Sequence, residues 1–216
     1  MTRSEENYLK SIFHLAEDNT SVSTNALAKK MKIKASSSTD MIKKLSEKGH
    51  VYYKKYKGVK LTKKGRLAAT SIVRKHRLWE VFLVDKLGFS WDEVHEVAEQ
   101  LEHIKSSKLT DELDSFLNYP KADPHGDPIP DSDGNIIDPK KQVLANVCIH
   151  SNCVCTGVND SSKIFLRYLD KFKIKLGTKI TVLSREFYDS SMTVLINNKK
   201  TSISKEVSNN LYVEII

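Results

Sequence analysis

The 216-residue sequence predicts an α+β chain in three parts: a winged helix-turn-helix, a helical module and a small β-barrel. Three observations lead there. Residues 1–75 hold 18 Lys and Arg against 6 Asp and Glu, a net of +12, whereas the remainder nets −4. Apolar residues recur at helical spacing as far as Leu117 and alternate in strand fashion beyond Lys141. Between these regions lies YPKADPHGDPIPDSDGNIIDPK (residues 119–140), which contains all five prolines and reads as an extended connection. The basic first third suits a polyanion, with nucleic acid ahead of an anionic membrane surface or of plain solubility.

Residues 5–17, EENYLKSIFHLAE, place Tyr8, Ile12, Leu15 and Ala16 on one face and read as a helix. Ser23 can cap a short helix carrying Ala26, Leu27 and Met31, and Lys32–Ala35 reads as a turn. Ser36 or Ser37 can cap a second helix bearing Met41, Ile42 and Leu45, ending at Gly49. Two short helices joined by a tight turn, the second basic on its outer face, make a helix-turn-helix. Residues 51–62, VYYKKYKGVKLT, alternate as a β-hairpin with Lys57-Gly58 at the turn and Lys54, Lys55, Lys57 and Lys60 near its tip. A basic hairpin directly after the helix pair is a wing, and the combination predicts a DNA-binding domain over residues 1–62.

A long helix is expected from Lys63 to Leu87, capped by Thr62 and carrying His76 and Glu80 one turn apart. After a Gly88 turn, Ser90 and Glu93 have capping-box spacing, so a second helix is expected to begin at Ser90. A third is read from Thr110 to Leu117. Their apolar faces suggest a dimerisation module over 63–120, followed by the connection 121–140. In residues 141–216 the stretches QVLANVCI, TKITVL, SMTVLINN and LYVEII read as strands, with a short helix around Phe165–Asp170.

Several function classes fall away. No apolar run reaches 18 residues and the N-terminus shows no signal-peptide pattern, so a cytoplasmic protein without a membrane partner is expected. Cys148, Cys153 and Cys155 are too few and too clustered for a disulfide framework. The stretch CIHSNCVC is spaced too tightly for a paired-ligand zinc site, and strand packing accounts for Cys153 and Cys155 sharing a face. A zinc hydrolase would need a second His where His95-Glu96-Val97-Ala98-Glu99 ends in Glu, so no enzyme and no small organic substrate is expected.

The stretch VHEVAEQLEHI (94–104) puts His95, Glu99, Glu102 and His103 within an arc of roughly 100° on a helix, opposite Val97, Ala98 and Leu101. By itself that stripe is either a metal site or a solvated face. With RKHRLWE (74–80) and PHGDPIP (124–130), in that order behind a wing, nearly the whole chain resembles the diphtheria toxin repressor family of metal-dependent transcriptional regulators. The resemblance implies a winged-helix domain, a helical metal-binding and dimerisation domain and an SH3-like C-terminal barrel. It also implies a primary metal site of Glu99, Glu102 and His103, completed from the first helix, and a second site of His76, Glu80 and His95. Members with Glu at the position of Glu99 resemble manganese sensors, and oxygen-rich donors suit Mn²⁺, with Fe²⁺ as the alternative.

The sequence departs from the family pattern in places. Asn7 stands where the first helix usually supplies Asp or Met, and Lys10 where manganese members have a coordinating Glu. Glu6 can substitute only by a shift, since on a helix it points about 100° away from Asn7. Asp123 replaces a Cys before Pro124-His125, and Asp123, His125 and Asp160 are candidate ligands of the second site. For DNA, Ser36, Ser37, Thr39 and Asp40 are the candidate base readers, and Lys43, Lys44, Lys54, Lys55 and Lys57 the phosphate contacts. The function expected is a homodimeric, metal-dependent repressor of metal-homeostasis genes on a near-palindromic double-stranded operator. The rival is a metal-independent, thiol-sensing winged-helix regulator.

Overall fold

The computed structural model describes residues 1–16, 20–137 and 141–216. Glu17, at the end of the first expected helix, and residues 138–140, at the end of the proline-rich connection, lie outside them. The chain forms two compact units: residues 1–76, 99–111 and 129–136, and residues 77–98, 112–128 and 137–216. Among the described residues no helix is long and apolar enough to cross a membrane.

In the first unit, α1 (Arg3–Leu15) begins earlier than the periodicity implied. Thr2 accepts from the Glu5 amide and Glu5 reaches back to Thr2, a capping box that pins the start. Ser23 caps α2 (Thr24–Met31) as expected, and Lys32, left-handed at φ 54°, ends it. The next helix, α3 (Ala35–Glu47), is capped by neither Ser36 nor Ser37. It starts after Lys34 without a side-chain cap, and both serines lie exposed in its first turn. Leu9, Ile12, Leu27, Ile42 and Leu45 are fully buried with Val51 and Val59, and each is worth about 2 kcal/mol of burial.

Strands β1 (Val51–Lys54) and β2 (Gly58–Leu61) pair antiparallel, with Lys54 opposite Gly58. The turn is thus Lys55–Lys57, not Lys57-Gly58, and Tyr56 takes the left-handed conformation at φ 66°. Gly58 is needed for another reason: Val22 bridges to Val59, and a Cβ on Gly58 would sit 2.4 Å from the Val22 carbonyl oxygen. Thr62 accepts from Gly65 and starts α4 (Lys63–Leu87), as expected.

Two further helices start away from the expected residue. Ser90 and Glu93 do bond, through Oγ–Oε2 at 2.6 Å, but their pairing closes a turn, and α5 runs only over Val94–Leu101. Glu102 and His103 therefore occupy the turn after α5. Helix α6 is Ser107–Phe116, starting before Thr110 because Ser106 accepts from Leu109.

The second unit holds the β domain. A six-stranded antiparallel sheet has the order β3-β8-β4-β5-β6-β7, from β3 (Gln142–Val143), β4 (Asn152–Val158), β5 (Lys179–Arg185), β6 (Met192–Ile196), β7 (Lys199–Ile203) and β8 (Leu211–Ile215). The expected strand QVLANVCI is only β3, since a 3₁₀ turn takes over at Leu144. Strand β7 and helix α8 (Lys205–Asn209) carry too few apolar residues to show periodicity. Helix α7 (Lys163–Lys171) packs Phe165, Leu166 and Leu169 into the core, where Trp91 joins them.

One buried charge ties α1 to α3. Glu5 is fully buried, with Lys48 at 2.7 Å and Lys44 at 3.3 Å, and the Lys48 hydrogen bond holds its carboxyl down at about 2. A depressed acid stabilises the fold above its unfolded value and loses that contribution as pH falls. The winged-helix unit is therefore expected to lose stability between about pH 5 and pH 2. Glu5→Gln should cost about 2 kcal/mol at neutral pH and flatten that acid dependence, as read by thermal melting across pH.

Candidate metal centre and nucleic-acid interface

The end of α5 meets α1 through a cluster of ionisable side chains. Glu102 is fully buried, and His76 and Lys10 neutralise it. The Nδ1 of His76 lies 2.6 Å from Oε2, and the Lys10 ammonium lies 2.8 Å from each carboxylate oxygen. His103 Nε2 stands 3.6 Å from Oε1. Burial pushes the Glu102 carboxyl up, but His76 and Lys10 outweigh it and hold it below the ordinary range.

His103 is oriented by Glu6, whose Oε2 lies 2.6 Å from Nδ1. A proton on Nδ1 facing that carboxylate leaves the Nε2 lone pair turned toward Glu102. Glu6 enters the centre through His103, so the angular offset from Asn7 does not keep it out. Glu99 is half exposed and lies 3.5 Å from Lys10. Asn7 precedes Lys10 by three residues on α1, hence on the same face, and its Oδ1 is buried with no hydrogen-bond partner. A buried, unsatisfied amide oxygen on the face of α1 that carries Lys10 is a donor that suits a hard divalent cation.

A second cluster lies in the other unit. Glu80, Asp123 and His125, all buried, offer ligand atoms within 4.8 Å of one another. His95, largely exposed, places Nδ1 3.4 Å from Glu80 Oε1. The Nε2 of His125 donates to the Trp91 carbonyl at 2.9 Å, and its ring stacks on Trp91 at an interplanar angle of 2°. That contact leaves Nδ1 facing Glu80 at 3.7 Å and Asp123 at 4.0 Å. Burial alone would lower the His125 imidazole, but Glu80 and Asp123 raise it to about 9. Burial, then Glu80 and Asp127, raise the Asp123 carboxyl to about 7. Arg77, which sequence reasoning missed, bonds the Pro128 carbonyl and lies 3.5 Å from Asp123.

The backbone holds this cluster tightly against β4. Val158 donates to the His125 carbonyl at 2.9 Å, and a Cβ on Gly126 would sit 2.1 Å from the Thr156 carbonyl oxygen. Asp160 takes no part in the group. Its carboxylate accepts from the Ser162 amide at 2.8 Å at the start of α7. His76 stands one turn ahead of Glu80 on α4, and its Nδ1 lies 2.6 Å from Glu102 Oε2. Among the described residues Glu99, Glu102 and His103 do not converge as the second cluster does.

The expected DNA face is open. Ser36, Ser37, Asp40, Lys43 and Lys44 are exposed on α3, as are Lys54, Lys55 and Lys57 on the hairpin. Thr39 is half-buried, its hydroxyl donating to the Ala35 carbonyl. Lys44 also serves Glu5, so its charge is shared between fold and surface. Tyr56, 93% exposed beneath the Lys55 ammonium, stands at the hairpin tip.

A winged helix whose first helix carries part of a carboxylate–imidazole cluster is the plan of a metal-responsive DNA-binding regulator. Known proteins agree. Residues 1–59 match the iron dependent repressor N-terminal DNA binding domain, residues 62–131 its metal binding and dimerisation domain, and residues 143–215 the FeoA domain. A helix-turn-helix transcriptional regulator of Methanocaldococcus jannaschii is 39% identical over 118 residues, covering 54% of this chain and 94% of that one. The structure of a manganese-dependent transcriptional repressor complexed with manganese superposes with a TM-score of 0.82 at 35% identity, covering 98% of this chain and all of that one. The manganese regulator SloR gives 0.72 at 34% identity over the whole of both chains. The chain belongs to the iron-dependent repressor family, that of the diphtheria toxin repressor. It is a metal-dependent transcriptional repressor that binds operator DNA as a dimer, and not an enzyme.

Mutation is expected to separate the two clusters. Glu102→Gln and Glu80→Gln are each expected to abolish about one divalent ion per chain while sparing the other, measured by equilibrium dialysis with Mn²⁺. Loss of all binding from Glu80→Gln alone would show a single shared centre instead.

Proposed function

We propose that the chain is a manganese-responsive repressor of metal-homeostasis genes, with Asn7, Glu99, Glu102 and His103 holding the ion that governs DNA binding. The observation that carries this reading is the donor set: hard oxygens with one imidazole and no thiolate. Such donors suit Mn²⁺, whereas a cysteine at position 99 would favour a softer ion. The manganese-complexed repressor and SloR, both similar along nearly their whole length, support the choice. Fe²⁺ is the competing ion.

The bound ion would supply positive charge where α1 and the end of α5 meet. This chain's residues do the rest. Glu6 aims His103, His76 aims Glu102, and Asn7 and Lys10 bring α1 to them. Because α1 packs Leu9 and Ile12 into the winged-helix core, fixing α1 orders the DNA-reading unit before it docks. Glu80, Asp123 and His125, with His95 at the rim and His76 one turn away on α4, form the supporting site. Asp160 is a candidate ligand only if it leaves Ser162.

The thiol-sensing alternative finds little support. Cys153 and Cys155 are buried, and burial pushes both thiols up to about 11, far from the thiolate that reacts. Cys148 alone is exposed.

DNA-binding anisotropy on a fragment upstream of the protein's own gene tests the reading, with chelator-stripped protein compared with and without Mn²⁺ and, under anaerobic conditions, Fe²⁺. Mn²⁺ is expected to tighten binding about tenfold or more, a gain that Glu102→Ala and His103→Ala lose. Equal binding by stripped protein would sink it. The same assay reads the interface: Lys55→Ala should lower the slope of log affinity against log salt by about one.

A further inference from the structure

The least conventional member of the centre is Lys10. Its side chain is only 12% exposed, and its ammonium lies 2.8 Å from both oxygens of Glu102 and 3.5 Å from Glu99. It thus contacts two of the carboxylates assigned above to the ion. An ammonium has donors and no lone pair, so it cannot ligate a metal. It can only claim the same oxygens and repel a second cation placed among them.

We propose that Lys10 is the affinity-setting residue of the metal centre: a tethered internal cation against which the divalent ion competes for Glu99 and Glu102. The inference rests on the assignment of Glu102 to the metal site. The competition follows from burial. Glu102 is fully buried and needs a positive partner, and a tethered ammonium provides one at high local concentration. The ion must take oxygens that are already neutralised, so it binds more weakly than the bare donor set would allow. The exchange is also a signal, since Lys10 stands on α1 within two residues of Leu9 and Ile12. When Lys10 gives up Glu102, the change arises within the helix that the winged-helix core is built on. A sensor answering only to abundant metal needs such an opposed site, because its transition point follows the ion's dissociation constant.

Mn²⁺ titration of the full chain, with free ion read by electron paramagnetic resonance, tests this on wild type, Lys10→Met, Lys10→Gln, Lys10→Arg and Glu102→Gln. Lys10→Met and Lys10→Gln are expected to tighten binding at the Glu102 centre about tenfold or more with the number of ions unchanged. Lys10→Arg, which keeps the charge, should stay near wild type. Melting in excess chelator gives a second readout: Lys10→Gln should be less stable than wild type, with the gap closing on saturation with Mn²⁺. If Met disrupts the fold, Gln carries the comparison. Binding at the Glu102 centre that is unchanged or weaker in both neutral variants overturns the proposal. If Glu102→Gln itself titrates like wild type, the assignment of the metal site fails instead.

Discussion

A carboxylate that is fully buried must be met by positive charge or donated hydrogen bonds, because stripping its water costs several kcal/mol that nothing apolar returns. Glu102 imposes that condition on the first unit. Lys10 comes from α1, His76 from α4 and His103 from the turn after α5, and all converge on this one side chain. Glu6 follows because His103 needs its far nitrogen engaged. This polar knot fixes which helices meet, beside the apolar core of Leu9, Ile12, Leu27, Ile42 and Leu45. On the proposed assignment this network has two arrangements, one with an ammonium among the carboxylates and one in which a divalent ion would stand there. That pair of states is what a metal-dependent regulator requires.

The second unit answers the same demand differently. Asp123 and His125 are fixed by backbone: the Asp123 carboxylate accepts from the amides of His125 and Asp127, and His125 is held between the Trp91 carbonyl and the Val158 amide. Trp91 is buried in the core of the β domain, so the imidazole stacked on it inherits that rigidity. Ion pairs of Arg167 with Asp92 and of Lys163 with Glu96, each at 2.8 Å, join α7 to the segment that carries Trp91 and His95. The buried ends of these contacts position the cluster. The pair between exposed Lys163 and Glu96 adds little energy.

Much of this was legible in the residues. Ser23 and Thr62 as caps, the wing after the helix pair and the pairing of Glu80 with His95 all appear as read. Where reading failed, a longer-range interaction had overruled a local signal. The Ser90–Glu93 capping pair closes a turn, which delays α5 and leaves Glu102 and His103 outside the helix assumed for them. Ser36 and Ser37 lost the cap of α3 to a helix that starts sooner. Strand β7 was invisible because its residues, KKTSI, alternate too weakly, and the sheet admits it by pairing with β6.

By itself, the sequence determined the order of the parts, the charge of the DNA-facing third and the inventory of side chains able to ligate a metal. These depend on residue type and on spacing along one element, which local rules capture. Only the tertiary structure decided which candidate side chains lie together: that Glu6 orients His103, that His76 meets Glu102, and that Lys10 sits among the carboxylates. Such pairings join residues up to 97 positions apart. They are set by the packing of whole helices and by the need of each buried charge for a partner, and neither leaves a trace in local periodicity.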